Sequence, residues 1–260
     1  MSATPDAVWL RTTCSQNGLQ LNDNQLALLE RYSWKLLEWN KSINLISRRD
    51  EENFWRVHLL HSLSVLFKLE IPSMSTVLDL GTGGGLPGIP LKVARPDLVV
   101  TLLDSTKKKT NVVSDIVHAL ELNDVDVVCA RAEDVGGQEK YSHRFDVVFA
   151  RAVASLKDLV RWSWPFLKRG DTKTVLDVEG HPASARRMIV CPSLVAFKGG
   201  EIEGEIQQVR NDPRVKALST INLSIAGSHQ LEAGEKKLVV VEFGDGQKEK
   251  ANRDRSEKII

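Results

Sequence analysis

A glycine-rich turn between an apolar run and a helix constrains this chain more than any other feature. Thr76-Val77-Leu78-Asp79-Leu80 is short and mainly apolar, and it runs straight into Gly81-Thr82-Gly83-Gly84-Gly85-Leu86-Pro87-Gly88. Glycines let the backbone turn tightly and bring it close to a ligand. A helix-length segment, Leu86 to Ala94, follows. A glycine loop that leaves a strand and opens a helix is the setting in which such loops bind nucleotide-like cofactors.

The rest of the chain points to the same architecture. Leu98 to Leu103 is a second apolar run and ends at Asp104; Val125 to Ala130 is a third and Phe145 to Ala150 a fourth. Helix-length segments lie at Thr106 to Leu120 and Ser155 to Leu167, and Leu238 to Phe243 reads as one more strand. Continuous apolar strands alternating with helices predict a Rossmann-like α/β fold, a mostly parallel sheet with helices on both faces. Upstream the pattern is helical. Asn22-Asp23 caps a segment carrying Leu26, Leu29, Leu36 and Leu37, and residues 51–69 place Phe54, Val57, Leu60 and Val65 near helical spacing until Ile71-Pro72 stops them. The expected division is an N-terminal helical extension over 1–70, an α/β domain over 71–246 and a polar, disordered tail over 247–260.

Two cofactors use a loop of this kind. Gly83, Gly85 and Gly88 match G-x-G-x-x-G literally, which points to NAD and an oxidoreductase. Electrostatics argue the other way. Asp79 is expected at the mouth of the loop, where a pyrophosphate would lie against the helix N-terminus. A carboxylate there repels phosphates and attracts the ammonium group of S-adenosylmethionine. Pro87 has no N–H to donate into a phosphate cradle. Asp104 ends the second strand, where a carboxylate can accept hydrogen bonds from ribose hydroxyls. After the third strand, Arg131-Ala132-Glu133-Asp134 offers either an adenine contact or a solvated loop.

Bulk composition narrows the setting. A net charge of +1 means that nucleic-acid binding must come from local basic patches rather than a global field. The three scattered cysteines, Cys14, Cys129 and Cys191, argue against a disulfide framework, and none forms a Cys-x-x-Cys half-site, so no metal is expected. The first twenty residues lack a charged start followed by an apolar run, and no stretch approaches the ~20 apolar residues of a membrane span. The expectation is a cytoplasmic monomer.

The candidate chemistry is methyl transfer, and the nucleophile decides what else is needed. Pyrimidine carbon methylation needs a cysteine nucleophile, yet Cys191-Pro192 has the reverse order of the usual Pro-Cys pair and Cys129 lies inside a strand. Exocyclic amine methylation often uses an Asp/Asn-Pro-Pro-aromatic loop after the fourth strand, where this chain has Ala150-Arg151-Ala152-Val153-Ala154-Ser155. A ring nitrogen with a free lone pair, such as guanine N7, needs neither, and proximity and orientation suffice. No catalytic side chain is assigned.

Taken together, Trp39-Asn40-Lys41 with Asn44-Leu45, Arg56-Val57-His58, the loop from Asp79 to Gly88-Ile89-Pro90, Leu103-Asp104-Ser105 and Ala150-Arg151-Ala152 resemble the RsmG (GidB) family. The Gly-Leu-Pro-Gly-Ile-Pro continuation over 85–90 is more specific than a generic methyltransferase loop. The likeness spans roughly 20–168 and resumes at Phe197-Lys198-Gly199-Gly200. It implies a class I methyltransferase that uses S-adenosylmethionine to form N7-methylguanosine in 16S ribosomal RNA of the small subunit. It further implies that Gly81, Leu86, Asp104, Ser105, Thr106, Ala132, Glu133 and Arg151 line the cofactor site, and that Asn40, Arg56 and His58 face the RNA side of the pocket. Three departures stand out: His61 replaces the usual aspartate of His-x-x-Asp-Ser, about twenty extra residues run from Asp171 to Pro192, and the chain extends past the final strand. The insertion keeps open a non-catalytic RNA-binding or assembly factor on the same fold.

Smaller signals receive plain readings. Lys107-Lys108-Lys109, Arg48-Arg49 and Arg186-Arg187 read as solvated faces before they read as phosphate contacts. His58 and His61, three residues apart on a helix, read as packing or capping residues because no third metal ligand is evident. Arg151 at the end of the fourth strand reads as functional, since ligands bind at the carboxyl ends of open α/β sheets. Lys198 either reaches substrate or plays a structural part.

Overall fold

The computed structural model describes residues 4–170, 186–228 and 235–244. Helix α1 runs over Pro5–Gln16, and the Thr4 hydroxyl caps it by accepting from the Ala7 N–H. Helix α2 runs over Asp23–Asn40 and starts at a reciprocal cap, in which Asn22 accepts from the Gln25 N–H and Gln25 accepts from the Asn22 N–H. Leu26, Leu29, Tyr32 and Leu36 fall on one face of α2 at helical spacing and are buried. A single 3-10 turn, Arg48–Asp50, precedes a one-turn π-helix over Trp55–Leu59, which continues as α3, Leu60–Leu63, and α4, Val65–Lys68. Strand β1, Leu69–Glu70, ends this part ahead of Pro72.

From there strands and helices alternate. The strands are β2, Thr76–Leu80; β3, Val99–Asp104; β4, Val125–Cys129; β5, Val147–Arg151; β6, Arg187–Met188; β7, Ser193–Gly199; β8, Val215–Asn222; and β9, Lys236–Phe243. The helices are α5, Gly88–Ala94; α6, Lys107–Ala119; α7, Ala132–Val135; α8, Leu156–Ser163; and α9, Glu203–Arg210. Seven strands form one sheet in the order β4-β3-β2-β5-β7-β9-β8. The first five are parallel, while β9 is antiparallel to both β7 and β8. β1 and β6 pair separately. The expected α/β sheet is therefore present, with α9 and β8 as additions that the sequence reading did not include.

Strand side chains alternate between the two faces, and each face has its own core. Val77, Val100, Leu102, Val147, Phe149 and Val195 point to one side, against Leu29 and Leu36 of α2, Ile89 of α5 and Ile116 of α6. Leu78, Leu80, Leu103, Val148, Ala150 and Leu194 point to the other, against Leu159 and Val160 of α8 and Ile206 and Val209 of α9. Leu10 of α1 and Leu59, Leu60 and Leu63 of the π-helix and α3 join the first core. Of the expected insertion over 171–192, residues 171–185 lie outside the described residues, and Arg187 and Met188 form β6. The expected tail, 247–260, lies outside the described residues altogether.

Strand order reverses at β2, whose neighbours are β3 on one side and β5 on the other. Chains leaving β2 and β5 therefore part to opposite faces and leave a crevice at their carboxyl ends. The glycine loop leaves β2 into that crevice, and Arg151 ends β5 beside it.

Candidate active site

The crevice holds a cavity of about 420 Å³. Gly81 to Gly84 and Leu86 form its floor, Asp104 to Thr106 and Lys109 one wall, Arg151 to Val153 another, and Leu45, Ile46 and His58 the third. A second cavity of about 150 Å³ shares Gly81, Asp104, Ser105 and Val153 with the first and adds Ala132, Glu133 and Trp162. All eight residues expected at the cofactor site thus border these two adjoining cavities. Gly81, Leu86, Asp104, Ser105, Thr106 and Arg151 line the larger, while Ala132 and Glu133 line the smaller.

Local chemistry explains the shape of the loop. Gly81 has φ +74, and a Cβ on it would stand 2.5 Å from the Val153 side chain, so only glycine lets the β2 and β5 exits approach this closely. Asp104 joins two backbone turns. Its Oδ2 accepts from the Gly83 N–H at 3.0 Å and its Oδ1 from the Thr106 N–H at 2.8 Å. Each oxygen keeps a second lone-pair direction for a ligand hydroxyl. Ala152, directly after Arg151, is held at φ +56, a strained setting for a residue with a Cβ, and such strain concentrates at functional sites.

Asp79 departs from its expected place. It is fully buried beneath the loop rather than at the mouth. Its Oδ2 accepts from the Thr82 hydroxyl at 2.6 Å and from the Gly88 N–H at 2.8 Å, while Oδ1 has no partner among the described residues. Adjacency in sequence placed Asp79 beside the loop; strand register turned it under the loop. Burial pushes its carboxyl up to about 6, against the opposing pull of those two hydrogen bonds and of Arg151. Asp79 braces the loop, and its charge acts on the cavity through the protein rather than by contact.

Arg151 carries the cavity's buried positive charge. Its one hydrogen bond among the described residues runs from Nη1 to His58 Nδ1 at 3.2 Å. His58 Nε2 in turn meets Asp50 Oδ2 at 3.1 Å. Burial, with the Arg151 charge beside it, lowers the His58 imidazole to about 4 and keeps it neutral at physiological pH. His58 thus lines the cavity.

Two other residues expected to face RNA do not reach the cavity. Asn40 is 1% exposed; its Oδ1 accepts from the Leu45 and Ile46 N–H groups and its Nδ2 donates to Glu51, so it holds the cavity wall from behind. Arg56 pairs with Asp6 at 2.9 Å and lies over the Trp9 ring, clamping α1. Lys198 donates to the Ala154 carbonyl and pairs with Glu205, each at 2.8 Å, and does not line either cavity. Lys109, read as a solvated lysine, borders the cavity because it sits one turn into α6 above Asp104. Arg186 donates to the Gly18 carbonyl, and Arg187 bonds Ser219 and Glu242. His61 packs its ring edge-on against Phe197 at 5.2 Å. Leu45, Ile46, Val153 and Trp162 were not expected to line the site; they are mainly apolar and meet it only through tertiary packing.

The residues present fit S-adenosylmethionine. The cavity provides a glycine floor, an acidic end on β3 that can bind hydroxyls, and a buried guanidinium able to bind a carboxylate. The reversed parallel sheet with one antiparallel strand beside its edge, together with this site, defines a class I S-adenosylmethionine-dependent methyltransferase. The chain belongs to the family described as rRNA small subunit methyltransferase G (GidB), whose pattern matches residues 25–181. Ribosomal RNA small subunit methyltransferase G of Desulforamulus reducens is 32% identical over 86% of this chain and 83% of its own length. The relative of the same name from Alkaliphilus metalliredigens is 42% identical over 62% of this chain and 67% of its own, and that from Moorella thermoacetica 39% over 59% and 64%. The aligned region thus spans just under two thirds of the Moorella relative. No described helix is long and apolar enough to cross a membrane.

Proposed function

We propose that this chain transfers the methyl group of S-adenosylmethionine to N7 of a guanine in 16S ribosomal RNA. One observation carries the choice of target atom. The ionisable groups lining the larger cavity are His58, Asp104, Lys109 and Arg151, and none is set up as a base. His58 Nδ1 is taken by Arg151, both Asp104 oxygens accept backbone N–H groups, and the lysine and arginine side chains offer donors and no acceptor. An amine or hydroxyl nucleophile would need a proton removed, whereas guanine N7 presents a lone pair and no proton. The names of the relatives point to the same RNA.

In this reading Gly81, Leu86, Asp104, Ser105, Thr106, Ala132, Glu133 and Arg151 hold the cofactor. The cofactor supplies an electrophilic methyl on a sulfonium. Asp104 receives its ribose hydroxyls, the Ala132-Glu133 side takes the adenine, and Arg151 takes the carboxylate. Leu45 and Ile46 shield one side of the cavity from water. Reaction then rests on holding the two partners in line, which is worth several kcal/mol of barrier without a proton-transfer group.

The test is transfer of labelled methyl from S-adenosylmethionine to small ribosomal subunits lacking the modification, with the product nucleoside identified by mass. Label in N7-methylguanosine at one site is expected. Label in another nucleoside overturns the target. Tight cofactor binding with no transfer leaves an assembly factor, and tight NAD binding in its place overturns the reading from the loop onward.

A further inference from the structure

We propose that Asp50 and His58 form a positioning relay that fixes the guanidinium of Arg151 in the cavity. The inference rests on the proposed function, in which Arg151 binds the cofactor, and goes beyond it by assigning work to two residues of the N-terminal segment.

Hydrogen-bond roles follow from donor chemistry. Arginine can only donate, so His58 Nδ1 must accept at 3.2 Å. A neutral imidazole with Nδ1 accepting carries its proton on Nε2, and that N–H points to Asp50 Oδ2 at 3.1 Å. The three side chains therefore form one directed chain, Arg151 to His58 to Asp50, in a single tautomer. Packing fixes the ring as well. Its face lies 5.9 Å from Phe54, which lies 6.1 Å from Tyr32, and the His58 side chain is only 13% exposed. His58 sits on the π-helix, Trp55–Leu59, and such single turns re-aim side chains at functional sites.

Arg151 needs such a device. It leaves a strand end beside the strained Ala152 and has no carboxylate pair among the described residues. A long side chain with one anchoring bond has many rotamers to choose from, and a ligand that must order it loses affinity. With Nη1 anchored, the remaining N–H groups keep one orientation for an anionic ligand group. Asp50 holds the imidazole ring, and the ring holds the guanidinium.

Affinity for S-adenosylhomocysteine by calorimetry, with the unfolding midpoint of the ligand-free protein, separates positioning from folding. Arg151→Ala is expected to weaken binding about tenfold or more, roughly the loss of one charge-assisted pair. His58→Phe keeps the packing and removes the acceptor; it is expected to weaken binding about fivefold with little change in midpoint. His58→Asn, whose amide oxygen can stand in for Nδ1, is expected to recover most of that loss. Asp50→Ala lies on a half-exposed turn and spares the core; a two- to threefold loss is expected, absent in the His58→Phe background. The double variant His58→Phe, Arg151→Ala is expected to bind no worse than Arg151→Ala alone. Normal binding by His58→Phe and Asp50→Ala, or additive losses in the double variant, overturns the relay while the site reading stands. Normal binding by Arg151→Ala overturns the site reading and the relay with it.

Discussion

Replacing Asp79 by asparagine separates its charge from its hydrogen bonds. The carboxyl is fully buried and its pKa is raised from an ordinary 3.8 to about 6 by that burial. A folded-state value above the unfolded one means that the folded state prefers the protonated form. The stability this contributes is fully present below about pH 4 and is lost as pH rises through 6. A shift of about two units corresponds to about 3 kcal/mol at 1.36 kcal/mol per unit. Asparagine keeps an oxygen for the Thr82 hydroxyl and the Gly88 N–H but never ionises. Its amide nitrogen falls where Oδ1 has no partner, a fixed cost of about 1–3 kcal/mol at every pH. The span with pH therefore carries the test rather than the offset. Variant and wild type are unfolded in denaturant from pH 4 to pH 8, and the variant's stability relative to wild type is expected to climb by about 3 kcal/mol over pH 4–7. Parallel curves would refute the placement of a strained carboxylate beneath the loop. Asp79→Ala, by contrast, strands both donors, so it is expected to damage the loop's fold together with cofactor binding rather than binding alone.

Two further perturbations test packing around the site. A Cβ on Gly88 would stand 2.3 Å from a Leu102 methyl and 2.7 Å from Asp79 Oδ2, so Gly88→Ala is expected to cost about 1–3 kcal/mol in denaturant unfolding and to lower affinity for S-adenosylmethionine; an unchanged midpoint and affinity would contradict the tight packing of Gly88 against Leu102 and Asp79. His61 is 6% exposed, its Nε2 has no partner among the described residues, and burial lowers it to about 3, so its stability contribution is present above its ordinary 6.5 and lost as pH falls toward 3. His61→Leu is expected to move the acid-unfolding midpoint to lower pH; a midpoint that stays put would show that His61 is not the group that acid attacks.

The α/β core was legible because its strands are buried on both faces and so read as unbroken apolar runs. The run from Thr76 to Leu80 is matched residue for residue by β2, and the run ending at Asp104 by β3 within one residue. Helix α1 falls within the expected helical extension but was not delimited as a helix of its own, because only Ala7, Leu10, Thr13 and Cys14 are buried along its twelve residues. Strand β8 lies at the sheet edge with every side chain half-buried or exposed, which leaves little apolar signal. The eight expected site residues gather at the cavities because each sits at a strand end or in the loop or helix start that follows it, where position along the chain nearly fixes position in space. Depth and partnership were not legible. Nothing local says that Asp79 turns inward, that Asn40 is spent on the Leu45–Ile46 backbone, or that Arg56 is spent on Asp6. Nor does spacing show that His58 meets a side chain 93 positions away.

On the proposed function, the cavity at the end of β2 and β5 delivers a methyl group to a guanine lone pair without a base. Small subunits reconstituted with 16S RNA in which the guanines are replaced by 7-deazaguanine test it most directly, since that base carries C–H where N7 should be. Labelled methyl transfer to ordinary subunits and none to the substituted ones, with equal binding of both, is the expected result. Transfer that survives the substitution would place the methyl on another atom and contradict the account.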